Sequence, residues 1–339
     1  MSTDATTDPG PGITGDVAAA DQRRDRLIRR VLFGCTSITV LTTIAIFVVL
    51  LDNTWGFFFD ATFSQWLVRS VTSLTVEGLT QRIAVTEFLF DTEWRPSHAD
   101  DPRFGIMTLV SATVLITVGA AFVSIPIGTA AALYLSEYAS VRTRKYLKPT
   151  LEVLAGVPTI VYGFFAVSFV TPVLLRPVLE LFGLSIGRNN VLSAMVVVGI
   201  MTIPMVASIS EDAMRAVPDD LRNGAYALGA SKYEVSTSVV LPASISGIFA
   251  SYILAVSRAI GETMAVTLAA GATPTLTANP LAEVQTMTAY MVTTMRSTAG
   301  VGSITYQSLF AVGLVLFLMT LVANLINDYI KRRYREVYR

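Results

Sequence analysis

Apolar positions in this chain come in long, nearly charge-free runs. Val31–Leu51, Phe104–Ser136, Val153–Leu175, Asn189–Ser210 and Val301–Asn327 contain no Asp, Glu, Lys or Arg, and each is at least 21 residues long. A hydrocarbon core about 30 Å thick takes roughly 20 apolar residues of helix. Ala243–Ala270 is a sixth run, broken only by Arg258 and Glu262. The pattern predicts an all-α membrane protein with six transmembrane helices. A membrane barrel would show short segments of alternating hydrophobicity instead.

Basic residues orient the spans. With the N-terminus inside, the segments 1–30, 137–152, 211–242 and 328–339 hold 17 Lys and Arg, against 7 in 52–103, 176–188 and 271–300. Cytoplasmic segments carry the excess of Lys and Arg, so both termini are expected in the cytoplasm of a multi-pass cell-membrane protein. The first span runs from Val31 straight into Asp52 and Asn53. It is longer than a signal-peptide core and lacks a small-residue cleavage site, so a retained anchor is expected. The segment 1–28, rich in Asp, Thr, Gly, Pro and Ala, reads as a disordered tail. Residues 29–103 comprise the first helix and a long external loop, 104–330 the transmembrane core, and 331–339 a basic tail.

Composition sharpens this. Of 339 residues 53% are hydrophobic and 15% charged, where a soluble domain carries about a quarter charged residues. That excludes a soluble enzyme and a disordered chain. The 25 basic and 25 acidic residues cancel, and no basic tract supports nucleic-acid binding. Cys35 is the single cysteine and has no internal disulfide partner. It opens the first apolar run, whereas a lipidated cysteine would follow one. His98, the single histidine, has no second His or Cys nearby and reads as a loop residue. The loop 52–103 carries Trp55, Phe57, Phe58, Phe59, Phe63 and Trp66, read as an interfacial aromatic belt or, alternatively, as a docking surface.

The most informative polar segment is Glu211–Pro242. Pro218 suits a first helical position, and Asp219 and Asp220 complement the helix dipole. Helix continues to Leu228, and Gly229 sits where a left-handed residue ends it. Ser231 and Glu234 match a capping box that opens a second helix. The loop would expose Ala225, Tyr226, Leu228 and Tyr233, an apolar patch that needs a cover. Gly224 and Gly229 have the spacing of a phosphate-binding loop, but Lys232 comes three residues late and the preceding segment is helical, so ATP binding by that motif is excluded.

The same residues resemble the cytoplasmic loop of ABC-transporter permeases, whose pattern is E-A-A, three residues, G, nine residues, I-x-L-P. Here it reads Asn223-Gly224-Ala225, then Gly229, then Val239-Val240-Leu241-Pro242. Ile127–Ala139, Leu151–Ala166 and Ser257–Gly271 are similar to the phosphate-type permeases. The Gly-Glu-Thr-Met-Ala-Val version resembles the PstC member more than its PstA partner. The resemblance covers about Phe104 to Ile330. It implies a type I ABC importer permease that takes up phosphate by alternating access and performs no covalent chemistry. Asn223, Gly224, Ala225, Tyr226, Leu228, Gly229, Leu241 and Pro242 would then meet the ATPase. The implied partners are a PstA-like second permease, a PstB-like ATPase dimer that binds ATP-Mg, and a PstS-like external phosphate-binding protein. No cofactor is expected on this chain.

Arg258 and Glu262, four apart in the fifth span, would share one helix face. A charge at mid-bilayer costs about 2.5–3.5 kcal/mol or more, so both must face protein or a water-filled path. They could neutralise each other and lock the helix. Alternatively, Arg258 attracts an oxyanion through its planar fork of donors, and Glu262 prevents over-tight binding; the family resemblance implies translocation roles for both. Gly247, Ser251, Ala255 and Ala259 form a ladder of small residues for close packing against another span or a second permease. Glu152 is expected to snorkel or pair at the inner edge. Pro126, Pro158 and Pro204 would permit kinks inside spans. An ion-coupled secondary anion transporter is the alternative, although it would usually show several intramembrane carboxylates. A membrane hydrolase lacks the usual catalytic motifs.

Overall fold

The computed structural model describes residues 13–59, 63–65, 82–96, 101–296, 300 and 302–333. Trp66, His98 and the end of the basic tail lie outside them. The chain divides into two compact units, Met1–Asp52 and Asn53–Arg339.

Helix α1 runs Ile13–Phe58, so the expected disordered tail is helical from Ile13 onward. Its Ala- and Arg-rich sequence favours helix, and an adjoining span supplies the nucleus that an isolated segment lacks. Thr36, Thr39, Thr42 and Thr43 each donate to the carbonyl four residues back at 2.8–3.1 Å. Those bonds satisfy the hydroxyls inside an apolar helix.

In the second unit, α2 (Val85–Phe90) precedes a two-residue ribbon, β1 (Trp94–Arg95) paired antiparallel to β2 (Arg103–Phe104). Helix α3 spans Met107–Tyr138 and closes on a π-helical turn. Helix α4 (Val141–Ala155) follows, capped by Ser140, whose side chain accepts from the Thr143 N–H at 3.1 Å. Helix α5 covers Thr159–Leu181 and α6 Val191–Arg215. After the loop helices come α9 (Ile245–Ile260), α10 (Met264–Ala270), α11 (Met287–Met295) and α12 (Ile304–Arg333). Among the described residues five helices are long and apolar enough to cross a membrane, and a bent pair makes a sixth.

Two spans differ from the sequence reading. The third begins at Thr159 because Val153–Ala155 belong to the last turn of α4. Pro158 is extended (ψ 134°) and stands before the span rather than inside it. Proline also disfavours helix in the residue before it, which breaks a run that hydropathy reads as continuous. Pro126 and Pro204 do lie within α3 and α6. The fifth span is discontinuous: α9 has 16 residues, about 24 Å at 1.5 Å per residue, and is separated by Gly261–Thr263 from α10.

Close helix contact explains the small residues. A Cβ at Gly128 of α3 would stand 2.7 Å from the Val206 side chain of α6. The small-residue ladder of α9 packs on α6. A Cβ on Gly247 would meet Ala213 at 2.4 Å, and the Ser251 and Ser210 hydroxyls are bonded at 2.8 Å. Ala255 and Ala259 are buried. The main core joins α3, α5, α6 and α10 through Ile116, Val170, Val197, Val198 and Val266. Asn190 caps α6 by accepting from the Ser193 N–H at 2.7 Å, and its amide donates to Thr171 and the Gly187 carbonyl.

Among the described aromatics of loop 52–103, Phe57 belongs to a core rather than to a belt or a docking face. Phe57 is fully buried and packs edge-on against Phe88 and Phe104, while Trp94 packs edge-on on Tyr290. These rings, with Leu309 and Val312 of α12, make a second core at the end of the bundle opposite the loop 211–242. Phe63 is exposed.

Candidate coupling loop and translocation residues

Helix α6 ends at Arg215, and Pro218, extended at ψ 141°, caps α7 (Asp219–Ala227). Pro218 therefore stands one residue earlier than a first helical position. Asp219 and Asp220 fill the first turn, and Gly229 adopts φ +88° after Leu228. That conformation is open to glycine without a Cβ penalty. Ser231 and Glu234 form the reciprocal capping box: the Ser231 N–H donates to Glu234 Oε2 at 2.7 Å, and the Glu234 N–H to Ser231 Oγ at 3.3 Å. The Ser231 backbone and hydroxyl hold the Glu234 carboxyl below the usual carboxylate range. Helix α8 (Lys232–Ala243) includes a π-helical stretch, Val235–Val240, and bends by 69° at Ser244 into α9.

Beneath the loop lies an apolar cluster. Ala132, Met214, Val217, Val235, Val240 and Ile248 are buried in it, with Ala225, Ala230 and Leu241 packed alongside. Ala225 is thus half-buried and part of the support, not of the exposed patch. Tyr226, Leu228 (91% exposed) and Tyr233 face outward, and Asn223, Gly224 and Pro242 are exposed too. Gly224 lies mid-helix, so no phosphate-cradling loop exists here.

Ion pairs clamp this region. Arg222 of α7, 14% exposed, turns back under its own helix. Its Nη2 donates to the Met214 carbonyl at 2.8 Å and to Glu137 Oε1 at 3.3 Å, and its Nη1 donates to the Val217 carbonyl and to Asp219 at 3.2 Å. Glu211, its side chain 1% exposed, is held by Arg144 and by Lys148 at 2.8 Å. Lys148 also reaches Asp212 at 2.6 Å. The basic run of α4 thus engages Glu211 and Asp212. Glu152 is exposed, with no ion pair among the described residues. Sequence reasoning singled out none of Arg222, Glu137, Glu211, Arg144 or Lys148 as a site residue. The available signal was a carboxylate at the edge of each of two charge-free runs, beside loops rich in basic residues.

Arg258 and Glu262 occupy different environments. Arg258 is exposed in the last turn of α9 and pairs with no carboxylate among the described residues. Tyr162 of α5 lies within its electrostatic reach. The helix stops at Gly261, so the two side chains do not share a continuous face. Glu262 is buried; its Oε1 accepts from the Ala265 N–H at 3.1 Å, and its carbonyl accepts from Thr288 at 2.7 Å. Its carboxylate satisfies a free N–H in the first turn of α10, a position that favours negative charge. The two are not an ion pair that locks a helix.

Residues 124–336 match the family described as "Binding-protein-dependent transport system inner membrane component". The chain belongs to this family. It is 31% identical over 266 residues to the probable ABC transporter permease protein YqgH of Bacillus subtilis, covering 78% of this chain and 82% of the relative. It is 30% identical over 260 residues to the phosphate transport system permease protein PstC of Mesorhizobium japonicum, covering 73% and 78%. A chain of the crystal structure of a bacterial alginate ABC transporter with its alginate-bound periplasmic protein shares the fold. Its TM-score is 0.62 at 14% identity, covering 93% of this chain and 96% of that one. The protein is an ABC importer permease of this type, and the family match takes in the whole coupling-type loop and the broken fifth span.

Proposed function

We propose that this permease imports inorganic phosphate across the cell membrane by alternating access. In this reading the loop of α7 and α8 docks on an ATPase dimer that binds ATP-Mg, so that Tyr226, Leu228 and Tyr233 are covered by a partner. That end of the bundle faces the cytoplasm, with both chain termini, as the distribution of Lys and Arg favours. A soluble phosphate-binding protein delivers the anion at the other end, and a second, non-identical permease completes the path. Asn223, Gly224, Ala225, Gly229, Leu241 and Pro242 shape the ATPase-facing loop. The chain itself carries no cofactor and makes or breaks no covalent bond.

The observation that carries the choice of an anion is Arg258: an exposed guanidinium without a carboxylate partner among the described residues, on a span that breaks three residues later. A guanidinium stays charged at any working pH and offers a planar fork to a phosphate oxygen pair. Glu262, whose side chain is held at the start of α10 just beyond the break, limits prolonged capture of the anion in this reading, since transport needs release as well as binding. The relatives named for phosphate transport support the substrate. In proteoliposomes containing the full complex, Arg258→Gln is expected to preserve assembly and ATPase binding while abolishing phosphate uptake. Normal uptake by that variant would overturn the role of Arg258. Uptake by the chain alone, without an ATPase, would instead favour the ion-coupled alternative.

A further inference from the structure

We propose that Arg222 is a positioning residue that latches the ATPase-facing helix to spans α3 and α6 at once, so that these parts move as one body during transport. The proposal rests on the reading of α7 as the docking helix and adds how its displacement reaches the spans. Three observations carry it. First, the guanidinium bridges three elements: its own helix through Asp219, the end of α6 through the carbonyls of Met214 and Val217, and the end of α3 through Glu137. Second, both ends of the bridge to α3 are largely shielded from water. The Arg222 side chain is 14% exposed and that of Glu137 6%, and Glu137 is itself oriented by the Ser136 hydroxyl at 2.8 Å. Third, the carbonyls that Arg222 takes lie past the end of α6 or in its last turn, where intrahelical partners run out. The Val217 carbonyl takes its side-chain bond from Arg222, and the Met214 carbonyl, which also accepts from the Val217 N–H at 3.3 Å, gains a second donor.

The latch has a directional consequence. Helix α7 is short, and its apolar contact through Ala225 alone would let it slide across the cluster below. A fork bonded to two carbonyls and a carboxylate resists both sliding and rotation, because its donors are fixed in one plane. A push on α7 is therefore delivered to α3 and α6 together.

The test uses the complete reconstituted complex, with phosphate uptake and ATP hydrolysis measured on the same vesicles. Arg222→Gln is expected to retain the ATPase and to hydrolyse ATP, with phosphate moved per ATP falling about tenfold, within the usual range of coupling strengths. Arg222→Lys, which keeps the charge on Glu137 but not the planar fork, should recover part of that loss. Glu137→Gln, which leaves the carbonyl bonds intact, should lower the same ratio by less. A parental ratio in Arg222→Gln would overturn the latch. So would loss of the ATPase from both Arg222 variants, which would mean a role in folding alone. A separate probe, Leu228→Cys cross-linking to the ATPase, distinguishes the underlying reading. Absence of a cross-link in the otherwise unaltered chain refutes docking at α7, whereas a cross-link together with a parental ratio in Arg222→Gln refutes only the latch.

Discussion

Replacing Glu211 by Gln keeps the shape of the side chain and removes its charge. The carboxylate is 1% exposed and faces Arg144 and Lys148, whose side chains are 23% and 27% exposed. Breaking a fully buried ion pair from one side costs about 3–5 kcal/mol. Here the cations have partial access to water, Lys148 keeps Asp212 at 2.6 Å, and the amide oxygen can still accept one bond. Hydrogen bonds to charged groups contribute about 1.5–3 kcal/mol, so the expected loss is about 1–3 kcal/mol. Asp212 is the internal control: its side chain is 62% exposed, and an exposed pair is worth about 0–1 kcal/mol. Thermal unfolding in detergent, followed by intrinsic fluorescence, should give a Tm lower by about 2–6 °C for Glu211→Gln and nearly unchanged for Asp212→Asn. Added salt should narrow the small Asp212 difference more than the Glu211 one, because buried pairs are screened less. Equal shifts for the two variants, or none for Glu211→Gln, would refute the argument that burial decides which carboxylate matters.

Backbone conformation and titration give further tests. Gly229→Ala adds a Cβ that meets nothing within 4 Å, so only the φ of +88° opposes it; the cost should be about 1–2 kcal/mol, read as a lowered Tm. Gly271→Ala faces both a φ of +96° and a contact with the Glu283 side chain, which accepts from the Ala272 N–H at 3.1 Å. It should therefore lower Tm more than Gly229→Ala, and the reverse order would count against the close approach of Glu283 to Gly271. The Glu234 carboxyl titrates lower in the folded chain than in the unfolded one. Its capping contribution is therefore present above the ordinary carboxylate range and is lost as pH falls through the lowered value. Amide exchange at Ser231 should accelerate over that acidic window, and Glu234→Gln should remove the pH dependence.

Much of the architecture was legible because its causes are local. A run of 20 or so apolar residues is its own statement about a membrane, and the α7–α8 loop could be read from Asp219, Asp220, Gly229, Ser231 and Glu234 because caps and turns act within four residues. Pro158 shows the limit of hydropathy: the third charge-free run is divided by backbone chemistry, not by polarity. Arg258 and Glu262 show the limit of spacing, since an i, i+4 rule applies only while the helix continues, and it stops at Gly261.

Taken by itself, the sequence determined the number and rough placement of apolar spans, the helical character of the polar loop between the fourth and fifth, and the anomaly of two charges within a span. Tertiary structure alone decided which charges meet: Arg222 with Glu137, 85 positions away, and Lys148 with Glu211, 63 away. It likewise turned Phe57 from a surface aromatic into a core one, with Phe58 packed beside it, and the ladder of α9 into a seam against α6. Helix caps, glycine turns and hydrophobic length are short-range and survive in the linear pattern. Ion pairing and burial depend on which helix ends come together, and that is set by the packing of all the spans at once.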